Sequence, residues 1–231
     1  MNYQTFDEGY YASNHQDADR PALCFYTRLA RSFFLPGRVL EFGSGTGYFL
    51  KRLSRHFEVD GFEVSSHGQR HTQSLLPGTQ LYSTLDEPPS DTYVGITALH
   101  VLEHISDEEL VRVLASWKRV LISKGRILCV VPEVGGRGHQ LKGKHWIGYG
   151  DSTHINLKQR EAWKAFFAEH GFQVIKSGTD GLWDFPYRKD CPRVVDFLLH
   201  APGTLLQFLA GRLLLREGRG ESLILLLVKA P

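Results

Sequence analysis

Cysteine is scarce in this chain: Cys24, Cys129 and Cys191 are the three present. They are odd in number and form no C-x-x-C pair, which excludes a disulfide framework and a thiolate zinc site, and a reducing cytoplasm is the expected compartment. The first residues, MNYQTFDEGYYASNHQD, lack the basic start and apolar run of a secretory leader, so secretion is not expected. Long uninterrupted hydrophobic runs are missing too. The most apolar stretch, residues 194–215, is broken by Asp196, His200, Pro202, Gly203, Gln207 and Arg212, which are costly in hydrocarbon, so no transmembrane helix is expected. Nor is there an excess of one charge: 27 Lys and Arg stand against 25 Asp and Glu, for a net charge of +2. The basic residues are scattered and form no stripe with aromatics between them, so nucleic acid is not an expected partner.

What is present is an ordinary globular composition, 42% hydrophobic and 23% charged over 231 residues. That is enough for one well-filled α/β domain with insertions and too little for two full-sized ones. Residues 21–34 predict a helix entered through Pro21, with a break at Pro36-Gly37. RVLEF over 38–42 predicts a strand, GSGTG over 43–47 a loop, and the spacing of Phe49, Leu50 and Leu53 a helix over 48–55. Further strands are predicted over 58–63, near Leu81, and over 93–99, 125–131, 172–175 and 223–228. Helices are predicted over 66–74, from a capping box at Ser106 and Glu109 to Leu121, and over 158–170. Such alternation implies a mainly parallel sheet with helices on both faces. Two stretches interrupt it, residues 135–154 and 178–220, and connections of that length are usually functional.

The loop from Gly43 through Ser44, Gly45 and Thr46 to Gly47 leads straight from strand to helix. It exposes bare backbone and free N–H groups, as a nucleotide-type pocket requires. Close packing of strand on helix is the plain alternative for short glycine turns. Glu63, at the end of the second strand, argues against it, since α/β nucleotide sites keep an acid there for the ribose hydroxyls. The spacing is G-x-G-x-G, not the G-x-G-x-x-G that admits a pyrophosphate, and Glu41 two residues earlier would repel one. A carboxylate there suits S-adenosylmethionine, which carries an ammonium and a sulfonium and has one carboxylate for the helix N-terminus.

VLEFGSGTGYFL, DGFEVS, ALHVLEHI and LISKGRILCVVPE, in that order, resemble the motifs of class I S-adenosylmethionine-dependent methyltransferases over roughly residues 38–172. DSTHIN, followed by a helix and HGF, is similar to the bacterial group of ubiquinone-type O-methyltransferases and glycan-cluster methyltransferases. The resemblance implies a doubly wound, Rossmann-like seven-stranded sheet with an antiparallel last strand. It makes 1–36 an N-terminal flap and helix, 38–131 the cofactor half and 132–231 the acceptor half of a single domain. Glu41 to Gly47 would hold the methionine end and Glu63 the ribose, with Val64, Thr84, Leu85 and His100 lining the rest. Thr84-Leu85 stands where the family commonly has an acid near the adenine, leaving Asp86 or a backbone group to serve, and Val94 replaces an acid common at the start of the fourth strand.

His154, in the loop beyond the fifth strand, is the leading general-base candidate, because an imidazole can take a hydroxyl proton near neutral pH. Simple packing beside the turn residues Asp151, Ser152, Thr153 and Asn156 is its plain alternative, and His139 and His145 are weaker candidates. His100 to His104 matches H-x-x-E-H, a zinc signature only when all five residues share a helix. His100 is expected to end a strand, so no metal is expected, and Glu103 and His104 are assigned to loop hydrogen bonding at the pocket edge. Tyr3, Phe6, Tyr10 and Tyr11 could form a flap over the pocket, with surface packing the plain alternative for Tyr3 and Phe6. Tyr10, Tyr11, His104, Trp146, Tyr149, Trp183 and Tyr187 are the acceptor-pocket candidates, with Phe185 beside them. Residues 194–215 could cover an apolar acceptor, touch a membrane surface, form a dimer contact or pack on the sheet edge. The expected reaction is methyl transfer to a small molecule, with the hydroxyl oxygen of a glycan, quinone-like compound or other metabolite favoured over nitrogen or carbon. A regulatory protein that keeps the pocket without catalysis and a nicotinamide oxidoreductase on a related fold are the alternatives.

Overall fold

A computed structural model describes residues 6–14, 16–188 and 190–230. In chain order the elements are α1 (Glu8–Ser13), α2 (Pro21–Phe33), β1 (Arg38–Phe42), α3 (Tyr48–Leu53), β2 (Glu58–Phe62), α4 (Ser66–Leu75), β3 (Leu81–Tyr82) and β4 (Tyr93–Leu99). There follow α5 (Asp107–Val120), β5 (Leu121–Pro132), α6 (Arg137–Lys142), α7 (Arg160–Glu169), β6 (Phe172–Thr179), α8 (Arg193–His200), α9 (Pro202–Ala210) and β7 (Ser222–Lys229). The strands form one seven-stranded sheet in the order β3-β2-β1-β4-β5-β7-β6. Pairing is parallel from β3 through β5, and β7 runs antiparallel to both β5 and β6.

The period of two along each strand sends alternate side chains to opposite faces. On β5, Ile127, Cys129 and Val131 meet Val113, Trp117 and Phe167 of α5 and α7 on one face. Leu128 and Val130 meet Leu23, Phe25 and Leu29 of α2 on the other. Covering both faces is why these strands read as near-continuous apolar runs. Strand order reverses between β1 and β4, and at such a switch point the helices diverge and leave a crevice beyond the strands' carboxyl ends.

Several elements extend the sequence expectation. β5 starts at Leu121 and β6 continues to Thr179. The stretch 135–154 contains α6 and two 3₁₀ turns, the N-terminal flap contains α1, and the second insertion contains α8 and α9. At Ser106 the expected capping box forms: its Oγ accepts from the Glu109 N–H, and the Glu109 carboxylate accepts from the Ser106 backbone N–H and hydroxyl. Among the described residues no helix is long and apolar enough to cross a membrane.

Candidate active site

The crevice divides into two clefts of about 680 Å³ each that share Tyr10, Gln16, Gly43 and Gly45. The first is lined by Glu63, Val64, Thr84, Leu85, Asp86 and Val101, with Tyr11 and His104 at its edge. The second carries Glu41, Ser44, Thr46, His100, His154 and Trp183, together with Asp151, Asp180 and Glu221.

The glycine loop is shaped by positive φ at Gly43 (75°), Gly45 (52°) and Gly47 (81°). Their reasons differ. A Cβ on Gly43 would lie 2.4 Å from Val101, and one on Gly47 2.5 Å from Thr72 of α4, so these two are bare for packing. Gly47 lines neither cleft; its place is the close approach of α3 to α4. Gly45 instead faces the shared space, where a Cβ would come 3.3 Å from the Tyr11 ring.

Glu63 organises this loop. Its carboxylate accepts the N–H of Gly45 at 2.6 Å and of Ser65 at 2.7 Å. Burial raises its pKa, and those two N–H groups act in the opposite direction. Glu41 lacks comparable support: its Oε2 is buried with no hydrogen-bond partner among the described residues. Burial, then the charge of Glu63, pushes the Glu41 carboxyl well above the usual range.

His154 is held by a 2.7 Å hydrogen bond between Nδ1 and the Gly148 carbonyl. A carbonyl can only accept, so Nδ1 carries the hydrogen and Nε2 of the neutral ring keeps a free lone pair. Nε2 lies 3.8 Å from Asp151 and 4.0 Å from Glu103. Burial alone would raise the Glu103 carboxyl, but the hydrogen bond from His100 and the neighbouring histidines hold it below the ordinary range. Asp151 is likewise held low, burial being outweighed by hydrogen bonds from Thr153 and by His154. His104 contacts Thr153 through its carbonyl and hydroxyl, at 3.2 and 2.9 Å. Donor atoms of Glu103, His104 and His154 all lie within 4.8 Å of one another, a set that could hold a metal ion. His100, which completes the H-x-x-E-H motif, is outside that set and immediately follows β4 with φ at 55°.

The acceptor-pocket candidates separate. Tyr10 touches both clefts and donates to Asp151 at 3.2 Å, and Trp183 lines the second. Tyr11 and His104 line the first cleft, beside Glu63 and Val64. Trp146, Tyr149 and Tyr187 line neither. Trp146 donates to Glu221 at 2.7 Å, Tyr187 also donates to Glu221, and Tyr149 lies at the surface against His139. Trp146 and Tyr187 thus staple the two insertions together through Glu221. Tyr3 lies outside the described residues. Sequence reasoning passed over Gln16, Tyr26, Asp180, Glu221 and Ser222; the legible signal was an acid just beyond β6 and another just before β7.

A nucleotide-type crevice at the switch point of a mainly parallel sheet, with an acid after β2 and a glycine loop after β1, defines a cofactor-dependent enzyme of the class I methyltransferase architecture. The methyltransferase domain family matches residues 14–177, more than half of the chain. The chain belongs to that family and is a methyltransferase with the class I S-adenosylmethionine-dependent fold. Its backbone is similar to that of a SAM-dependent methyltransferase from Archaeoglobus fulgidus, with a TM-score of 0.66, 18% identity, and 96% of this chain and 100% of that one covered. A second similar structure, an S-adenosylmethionine-dependent methyltransferase from Mesorhizobium loti, gives a TM-score of 0.59 at 14% identity, covering 90% and 98%. No curated protein sequence matches the chain.

Proposed function

We propose that the protein methylates a hydroxyl oxygen of a small-molecule acceptor, with S-adenosylmethionine as donor and His154 as general base. The carrying observation is that the second cleft joins the glycine loop to His154, whose Nε2 lone pair is left free by the Nδ1 bond to Gly148.

The donor fits the residues present. Glu41 has a buried oxygen without a partner, and a cationic ammonium supplies the charge that burial denies it. Gly45 keeps the shared space bare, Glu63 would receive the ribose hydroxyls, and Val64, Thr84, Leu85 and Asp86 would line the adenine. When bound, S-adenosylmethionine supplies a methyl group already activated by its sulfonium. The chain's own work is alignment, exclusion of water and movement of one proton. His154 takes the acceptor proton at Nε2, and the ionised Glu103 and Asp151 stabilise the imidazolium that forms. The acids that line the second cleft, Asp151, Asp180 and Glu221 among them, suit an acceptor rich in hydroxyl donors.

His154→Ala should leave S-adenosylhomocysteine affinity intact and lower kcat by roughly 10²–10⁴-fold on a hydroxyl acceptor. The loss should shrink on an acceptor that is already ionised. Equal losses on both kinds of acceptor, or a parallel loss of cofactor binding, would assign His154 to loop support instead.

A further inference from the structure

Helices α8 and α9 are built inside out. The one buried residue of α8 is Asp196, and the buried residues of α9 are Thr204 and Gln207. All three are anchored: Asp196 accepts the Tyr187 N–H at 2.7 Å, Thr204 the Leu182 N–H at 3.1 Å, and Gln207 bonds the Thr179 carbonyl and the Leu214 and Leu215 N–H groups, each at 2.8 Å. Apolar residues point outward, with Val194 67%, Leu198 65%, Leu199 58%, Leu206 62%, Leu209 81% and Leu214 51% exposed. A helix that faces water does the reverse. An apolar face of this extent marks an interaction site.

The chain at the start of α8 and just after α9 is positive. Arg193, Arg212, Arg216 and Arg219 are exposed and form no ion pair with a described residue. The nearby acids are neutralised or withdrawn: Asp190 pairs with Arg188, Glu217 with Lys164, and Asp196 is buried. We propose that this face docks on an anionic lipid bilayer, with the leucines in the acyl boundary and the arginines among the headgroups. An apolar surface combined with a basic cluster is the pairing that gives stable peripheral attachment. At 8 and 9 residues the helices extend only about 12 and 14 Å, so they lie on the bilayer and do not span it. A two-fold contact with a second copy would instead set one copy's arginines against the other's. The face adjoins the active site through Trp183, which lines the second cleft and packs its ring 4.5 Å from that of Phe208.

Trp183 also supplies a reporter, being 39% exposed while Trp117, Trp146 and Trp163 are buried. The full chain should co-sediment with vesicles of equimolar phosphatidylcholine and phosphatidylglycerol, with a blue shift of Trp emission, and bind pure phosphatidylcholine vesicles more weakly. Replacing Arg193 and Arg212 by Gln should weaken anionic-vesicle binding on the order of tenfold or more. Leu198→Asn with Leu206→Asn and Leu209→Asn should weaken it by at least on the order of a hundredfold. Because these side chains are exposed, the far-ultraviolet circular dichroism and Tm of the variants should match the parent. Absence of binding to anionic vesicles, or binding that survives the triple leucine substitution, would overturn the proposal. So would a dimer in sedimentation velocity that the triple substitution dissolves while vesicles bind nothing, which would assign the face to a second copy.

Discussion

The Glu63 carboxylate accepts N–H groups from both the loop after β1 and the turn after β2. Removing it therefore strands two donors and also takes away the acceptor assigned to the ribose. Glu63→Ala should weaken S-adenosylhomocysteine binding by about 1.5–3 kcal/mol, the scale of a lost charged hydrogen-bond partner. It should lower Tm as well, because an unsatisfied buried N–H costs free energy in the folded state alone. Calorimetry and thermal unfolding on one sample separate the two effects, and an unchanged Kd in a folded variant would refute the ribose assignment. Glu63 was legible in the sequence because its neighbours in space, Gly45 and Ser65, are near it in the chain. Trp146 and Tyr187 were misplaced for the opposite reason. Their polar atoms meet Glu221, 75 and 34 residues away, which no local pattern encodes.

At the scale of elements, the loop after β5 and the insertion after β6 are held together at Glu221, which immediately precedes β7. Trp146 comes from the first and Tyr187 from the second, and Lys142 pairs with Asp184 alongside them. Burial, with Asp180 and Asp184 nearby, lifts the Glu221 carboxyl to about 7 against the hydrogen bonds it receives. The unfolded chain releases that proton near 4.5, so between these values the folded state binds more protons. Stability from this group is complete below about pH 4.5 and drains away as pH rises through about 7. Thermal melts should show Tm falling across this window, and Glu221→Gln should remove part of the slope. An identical slope in the variant would contradict the assignment. The same scale explains which elements the sequence hid. Strands β1, β4, β5 and β7 are apolar on both faces and stood out. Helices α8 and α9 read as an insertion because their buried positions are polar, so the usual rule linking apolar spacing to the core gives the wrong face.

For the whole molecule, strand order and glycine loop together fix where a ligand enters; the glycine loop was legible because the segment 38–63 is local and regular, whereas the strand order depends on how distant segments pair. The second cleft was only partly legible. It is assembled from α2, the β5 loop and the ends of β6 and β7, and that assembly depends on tertiary packing. The central claim, that the shared crevice holds S-adenosylmethionine and not a dinucleotide, rests on the Glu41 Oε2, which has no partner among the described residues, and on the bare Gly45. Titration calorimetry with S-adenosylhomocysteine and NAD tests it most directly, on the parent protein and on Gly45→Val, whose branched side chain would project at φ 52° toward Tyr11. The account predicts binding of S-adenosylhomocysteine in preference to NAD, and its loss in the folded variant. Tight NAD binding with no heat from S-adenosylhomocysteine would contradict it.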